Sequence, residues 1–142
     1  MNKGSAGFTL IELLVVVALV AVATAAVTLS LRKSSDAQLD REAARLCALL
    51  DAARAESRTT GIAIHWMPAN QGFLFWPWPA TASPLPDRWM AADVQAHASP
   101  TVLTLGPAPI IEASRVTLIV GDRQLTIGTD GLHAFAPVEA QL

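Results

Sequence analysis

Gly7-Phe8-Thr9-Leu10-Ile11-Glu12 opens directly onto residues 13–31, where 19 consecutive positions carry no charge and only Thr24, Thr28 and Ser30 are polar. A helix needs about 20 such residues to cross the hydrocarbon of a bilayer. Before the motif stand Met1-Asn2-Lys3-Gly4-Ser5-Ala6. A secretory signal peptide has a basic start, 7–15 apolar residues and then its small residues. Here the apolar run is longer, the small residues precede it, and an acid, Glu12, sits near its start. The plain alternative is a signal anchor, in which Glu12 would be an accident.

Glu12 needs a physical account. A carboxylate in a membrane helix is disfavoured by about 2.5–3.5 kcal/mol at the centre and less near an end. No base lies within the run. Cutting after Gly7 would create an α-ammonium group on Phe8, four residues before Glu12 and on the same helical face. The carboxylate could equally pair with the free amine of a neighbouring chain in a low-dielectric setting. Before the cut, the Phe8 nitrogen is an amide and cannot serve.

These six residues and the apolar run behind them resemble the class III signal of type IV prepilins and type II secretion pseudopilins. The resemblance implies that a membrane-embedded prepilin peptidase cuts after Gly7 and methylates the new terminus at Phe8. It also implies that Glu12 docks the subunit onto a growing filament. The C-terminal part is then outside the inner membrane, in the periplasm. A positive-inside count points the other way, because Arg32, Lys33, Arg41 and Arg45 follow the span and Lys3 precedes it.

Beyond the span the helical pattern continues. Residues 8–60 hold neither proline nor glycine, and Gly61 is a suitable stop. Leu39, Ala43, Leu46, Leu50 and Ala53 recur at spacings of four and three, which makes one apolar stripe. Arg41, Arg45, Asp51 and Arg58 fall on wetter faces. Residues 62–67, 73–78, 102–105, 115–120, 124–127 and 132–135 read as short strands, with a turn over residues 68–72 and glycine punctuation at Gly121 and Gly131. One long helix followed by strands predicts an α+β fold: a long N-terminal helix, half transmembrane and half amphipathic, packed on an antiparallel β-sheet domain. The divisions are a leader (1–7), the transmembrane half of the helix (8–31), its amphipathic half (32–60) and a β-rich domain (61–142). The passage from Leu46-Cys47-Ala48-Leu49-Leu50 through Ala53-Arg54-Ala55-Glu56 to Gly61 is similar to the helix-to-first-strand junction of the GspH/FimT group of minor pilins and pseudopilins.

Composition narrows the function. Hydrophobic residues make up 52% of the 142 positions, an excess concentrated in the span. From Gly61 onward there are three bases (Arg88, Arg115, Arg123) against six acids, a poor footing for phosphate binding that argues against nucleic acid as a partner. Cys47 is alone, which excludes an intrachain disulfide, and in an Ala/Leu-rich helix it reads as a packing residue. His65, His97 and His133 show no metal-ligand spacing. Asp122 and Asp130, beside glycines, read as turn residues. There is no phosphate loop and no serine elbow, so neither an enzyme nor a cofactor is expected. Phe73, Phe75, Trp76, Trp78 and Trp89, interleaved with prolines, read as core filling under a loop lid, with subunit docking as the sharper alternative.

The combined reading is a minor pseudopilin of GspH type that works by assembly in a pseudopilus tip. Its expected partners are the prepilin peptidase, the other major and minor pseudopilins and an inner-membrane assembly platform. The second reading is a FimT-like minor pilin of a type IV pilus, linked to DNA uptake; the base-free end, Pro137-Val138-Glu139-Ala140-Gln141-Leu142, weighs against it.

Overall fold

The computed structural model describes residues 9–138, with the side chains of residues 31–33 left aside. The elements are a helix α1 (Leu10–Thr60) and seven strands: β1 (His65–Ala69), β2 (Gly72–Trp76), β3 (Gln95–Ser99), β4 (Leu103–Thr104), β5 (Ser114–Val120), β6 (Arg123–Thr129) and β7 (Ala136–Pro137). The chain divides into two compact units after Ser34. The α+β class is as expected.

The N-terminal unit is apolar helix. Leu10, Ile11, Leu14, Val20, Val22 and Leu29 are all more than half exposed, and no part of this stretch is buried by the chain itself. The hydroxyls of Thr24 and Thr28 donate to the carbonyls of Val20 and Thr24, at 2.8 and 2.9 Å. These polar groups are therefore satisfied within the helix, as a lipid environment demands.

In the second unit the amphipathic half of α1 supplies the core. Leu39, Ala43, Leu46, Leu50 and Ala53 are all buried, so the stripe read from spacing is the packed face. They meet Ile64, Trp66, Phe73, Leu103, Leu105, Val116, Leu118, Ile127 and Phe135. Two antiparallel sheets, rather than one, carry those residues. The smaller has order β2-β1-β4 and the larger β3-β5-β6-β7. Both tight hairpins have two-residue connections: Ala69 pairs with Gly72 across Asn70-Gln71, and Val120 with Arg123 across Gly121-Asp122.

Three strand expectations change. The turn expected over residues 68–72 shrinks to Asn70-Gln71, with Gln71 at φ 61° taking the left-handed position. Gly72 joins β2 by pairing with Ala69, at a place where a Cβ would meet the Asp87 carbonyl oxygen, whose hydrogen bond from the Phe73 amide (2.9 Å) closes the loop. β3 was not foreseen: Gln95-Ala96-His97-Ala98-Ser99 has little β-propensity, and its pairing along β5 overrides that weakness. Residues 132–135 form no strand. The Asp130 carboxylate accepts the Leu132 and His133 amides at 2.9 Å each, which holds the backbone in a turn. The strand forms later, at β7, against β6.

Candidate functional site

Gly7 and Phe8, the expected cleavage and methylation residues, lie outside the described residues. Glu12 is in the first turn of α1. Its amide donates to the Thr9 carbonyl at 3.0 Å and lies 3.4 Å from the Thr9 hydroxyl. Thr9 thus precedes the first helical residue as an N-cap, and Glu12 stands at the third position of the helix. Thr-x-x-Glu is the capping-box pattern, a signal in the sequence that the reading from charge alone passed over. A carboxylate there also faces the positive end of the helix dipole.

Magnitudes decide how far that goes. Dipole and cap contribute about 0.3–1 kcal/mol at an exposed position. The cost of a charge in hydrocarbon is about 2.5–3.5 kcal/mol at mid-membrane. The dipole lowers that cost without removing it, and the cap runs from Thr9 to the Glu12 amide and does not touch the carboxylate. Among the described residues the Glu12 carboxylate has no hydrogen bond and no ion pair, and its neighbours Leu10, Ile11, Leu13 and Leu14 are exposed apolar side chains.

Residues 2–28 match the family model for the prokaryotic N-terminal methylation motif. The motif indicates a type IV pilin-like protein. Neither a curated protein nor a solved structure matches it. The motif implies processing by a prepilin peptidase and assembly with other pilins, and with the single apolar helix it describes a membrane-anchored, single-pass chain. The matched stretch ends well before the β domain, so the domain of this pilin-like chain has to be read from its own geometry.

Two charged side chains of α1 that spacing did not single out organise that domain. Arg54 is 4% exposed, and its guanidinium donates to the carbonyls of Pro109 (3.1 Å), Gly131 (2.5 Å) and His133 (3.0 Å). Arg58 donates to Pro109 as well, at 2.9 Å, and Asp51 accepts the Phe135 amide at 3.2 Å. Three side chains spaced along one helical face therefore hold the loop before β5 and the turn after β6. Burial, then the nearby Arg58 cation, pushes the Arg54 pKa down, against the pull of Asp51 and Asp130. Upstream, Glu42 is 2% exposed and accepts the Met90 and Ala91 amides at 2.6 and 2.9 Å, while Arg45 donates to the Arg88 carbonyl at 2.9 Å. Asp51 and Arg45 are half-buried rather than wet, because backbone groups of the loops come to them.

The other candidates fall into packing and turn roles. Cys47 is buried and free; burial, and next the charge of Asp51, pushes its thiol up to about 11. His65 is stacked on Trp76 and shares a 3.2 Å hydrogen bond with the Thr104 hydroxyl. His133 pairs with Asp130 at 2.8 Å. Hydrogen bonds from the His133 backbone and side chain and from the Leu132 amide hold the Asp130 carboxyl well below the usual carboxylate range. Among the described residues no group of three or more histidine, cysteine, aspartate or glutamate side chains converges on a point. The aromatic region divides. Phe73 and Trp89 are buried edge to face at 4.7 Å, Phe75 and Trp78 are half-buried, and Trp76 is 70% exposed.

Proposed function

We propose that this chain is a minor pseudopilin of GspH type in a type II secretion system, working by assembly rather than catalysis. The supporting observation is Glu12: an unpartnered carboxylate one turn into a lipid-facing helix, inside a methylation motif that calls for a cut just upstream. Cleavage after Gly7 exposes the Phe8 amine, and methylation leaves it cationic. Glu12 then meets such an amine on another subunit, which draws the stem from the lipid into the filament. The β domain projects into the periplasm as part of the pseudopilus tip, in contact with major and minor pseudopilins and the inner-membrane platform. The secretion reading is favoured over a DNA-binding pilin by charge. The domain is short of bases, and one of its three arginines, Arg123, is tied to Asp36 at 2.6 Å.

The test separates charge from capping. Glutamine serves at the third position of a capping box, so Glu12→Gln keeps the helix start and removes the charge. Expected is normal membrane insertion and normal shortening, with little of the variant in sheared filaments; Gly7→Val leaves the chain full-length. Wild-type incorporation of Glu12→Gln would show that assembly does not use the Glu12 charge, and a first residue other than methylated Phe8 in filaments would remove the cleavage assignment. Deleting the type II secretion genes of the host in one strain, and its type IV pilus genes in another, distinguishes the GspH-type from the FimT-like role.

A further inference from the structure

Where α1 begins is decided in its first turn. The Thr9 carbonyl accepts the Glu12 amide at 3.0 Å and the Leu13 amide at 3.2 Å, and the Thr9 hydroxyl lies 3.4 Å from the same Glu12 amide. Helical structure starts at Leu10. This is the arrangement of an N-cap, a residue outside the helix whose carbonyl takes the first helical bond and whose side chain serves an amide left over at the helix end. Thr9 is not the first residue in the chain able to do this. Gly7 and Ser5 stand upstream, and glycine and serine are both accepted as caps. The same apolar helix could begin at either one if position 9 lost its acceptor.

The alternative starts differ at one carbonyl. In an α-helix each carbonyl accepts the amide four residues further on. A helix begun at Gly7 or Ser5 ties the Gly7 carbonyl to the Ile11 amide, whereas a helix begun at Thr9 leaves that carbonyl outside the ladder. If the cut falls after Gly7, this carbonyl carbon is the atom that is attacked. Cleavage of a folded chain draws on the fraction in which the bond is free.

We propose that Thr9 is a positioning residue for leader removal: by fixing the start of α1 at Leu10, it keeps the Gly7–Phe8 bond out of the helix and open to the prepilin peptidase. The inference rests on the cleavage after Gly7 put forward above. Thr9 acts on the conformation of the substrate and takes no part in the bond-breaking chemistry. What matters at position 9 is then a short side chain that accepts a hydrogen bond, and neither its bulk nor its branching.

The experiment follows shortening of the full-length precursor by purified prepilin peptidase in detergent. Thr9→Val keeps the branched shape and loses the acceptor, while Thr9→Asn changes the shape and keeps an acceptor that caps at least as well. For Thr9→Val the expected KM is about two- to fivefold above wild type with kcat unchanged, because covering the bond lowers the competent fraction of substrate. Thr9→Asn and Thr9→Ser are expected to keep the wild-type KM. In micelles, the α-carbon chemical shifts of Gly7 and Phe8 in the uncut Thr9→Val chain are expected to move toward helical values. Wild-type kinetics for Thr9→Val would overturn the proposal. So would slow cleavage of Thr9→Asn beside normal cleavage of Thr9→Val, the pattern of a peptidase that reads the shape of the side chain. A slowed Thr9→Val chain with unmoved shifts at Gly7 and Phe8 would overturn it too. If the unaltered chain is cut at another bond or not at all, the cleavage reading fails and takes this role with it. If the unaltered chain is cut before Phe8 and all the variants are cut alike, only the role of Thr9 is wrong.

Discussion

Replacing Arg54 by methionine removes a guanidinium and keeps most of the stem's volume. In the folded domain Arg54 holds three carbonyls, those of Pro109, Gly131 and His133, from two separate loops. Hydrogen bonds from a charged donor contribute about 1.5–3 kcal/mol each when isolated. The three share one cation that is itself costly to bury, and its Nε has no partner. Arg58 still reaches Pro109, so the Pro109 carbonyl is not orphaned. Gly131 keeps the Ile111 amide at 3.1 Å and His133 the Thr129 hydroxyl at 2.6 Å, so each carbonyl loses a charged donor but keeps another, and the desolvation of Arg54 is relieved. The net loss is expected near ~2 kcal/mol, within the range for hydrogen bonds from a charged donor. For a domain of this size that corresponds to roughly 8–16 °C in Tm. Arg54→Lys should be nearly as damaging, because a single ammonium cannot span carbonyls that a planar fork reaches. The assay is thermal unfolding of the full chain in detergent, followed by fluorescence of its four tryptophans, with amide exchange of residues 106–111 and 130–135 as the local readout. Arg54→Met with an unchanged Tm and unchanged exchange in both loops would refute the idea that this side chain holds them.

The native Cys47 thiol, pushed up to about 11, should react with iodoacetamide at pH 8 about a hundredfold more slowly than an unperturbed thiol, since only the thiolate attacks. The rate should climb with pH toward that value, and a rate equal to that of the unfolded chain at pH 8 would contradict the burial. Gly72→Ala should cost about 1–3 kcal/mol, because its Cβ would collide with the Asp87 carbonyl oxygen; denaturant unfolding measures it, and neutrality would mean that the loop over residues 77–94 yields easily. Asp36→Asn should change stability by less than about 1 kcal/mol despite the 2.6 Å contact, because both partners of this pair are more than 40% exposed. The Asp130 carboxyl, held low by its hydrogen bonds, is more acidic folded than unfolded. Its stabilisation is therefore complete above the ordinary aspartate pKa and fades as pH falls below it. Asp130→Asn should flatten that acid limb, visible as a smaller loss of Tm between neutral pH and pH 3.

What could be read in advance follows the physics of each segment. The stripe Leu39-Ala43-Leu46-Leu50-Ala53 was legible because a helix half covered by protein must keep its apolar residues in register with a 3.6-residue period. The strands β5 and β6 were legible because β-branched residues alternate between a buried and a wet side. β3 was not, since alanine, glutamine and serine carry no strand signal and the pairing is decided by β5. Arg54 and Glu42 were not legible as buried groups. Their partners are backbone carbonyls and amides of loops up to 79 residues away, and backbone groups leave no mark in the sequence. Glu12 was legible as an anomaly of charge, while its capping geometry needed Thr9 to be seen at the helix start.

The helix explains why the chain needs both kinds of pattern. Between Leu13 and Leu29 every face carries exposed apolar side chains, so nothing in that stretch favours one neighbour over another, and lipid or a second stem can cover it equally well. Between Leu39 and Ser57 one face is committed to the domain's own core, with Glu42, Arg54 and Ser57 tying loops to it. A stem that must leave lipid cannot rely on apolar contact for direction, because the hydrocarbon it leaves is as apolar as the stems it joins. Direction has to come from a polar group that lipid leaves unsatisfied and a neighbour satisfies. Among the described residues of the span, the threonine hydroxylswith their internal partners cannot do this, whereas the Glu12 carboxylate can. On the proposed reading, the charge that makes the membrane state expensive is the feature that would make assembly directional.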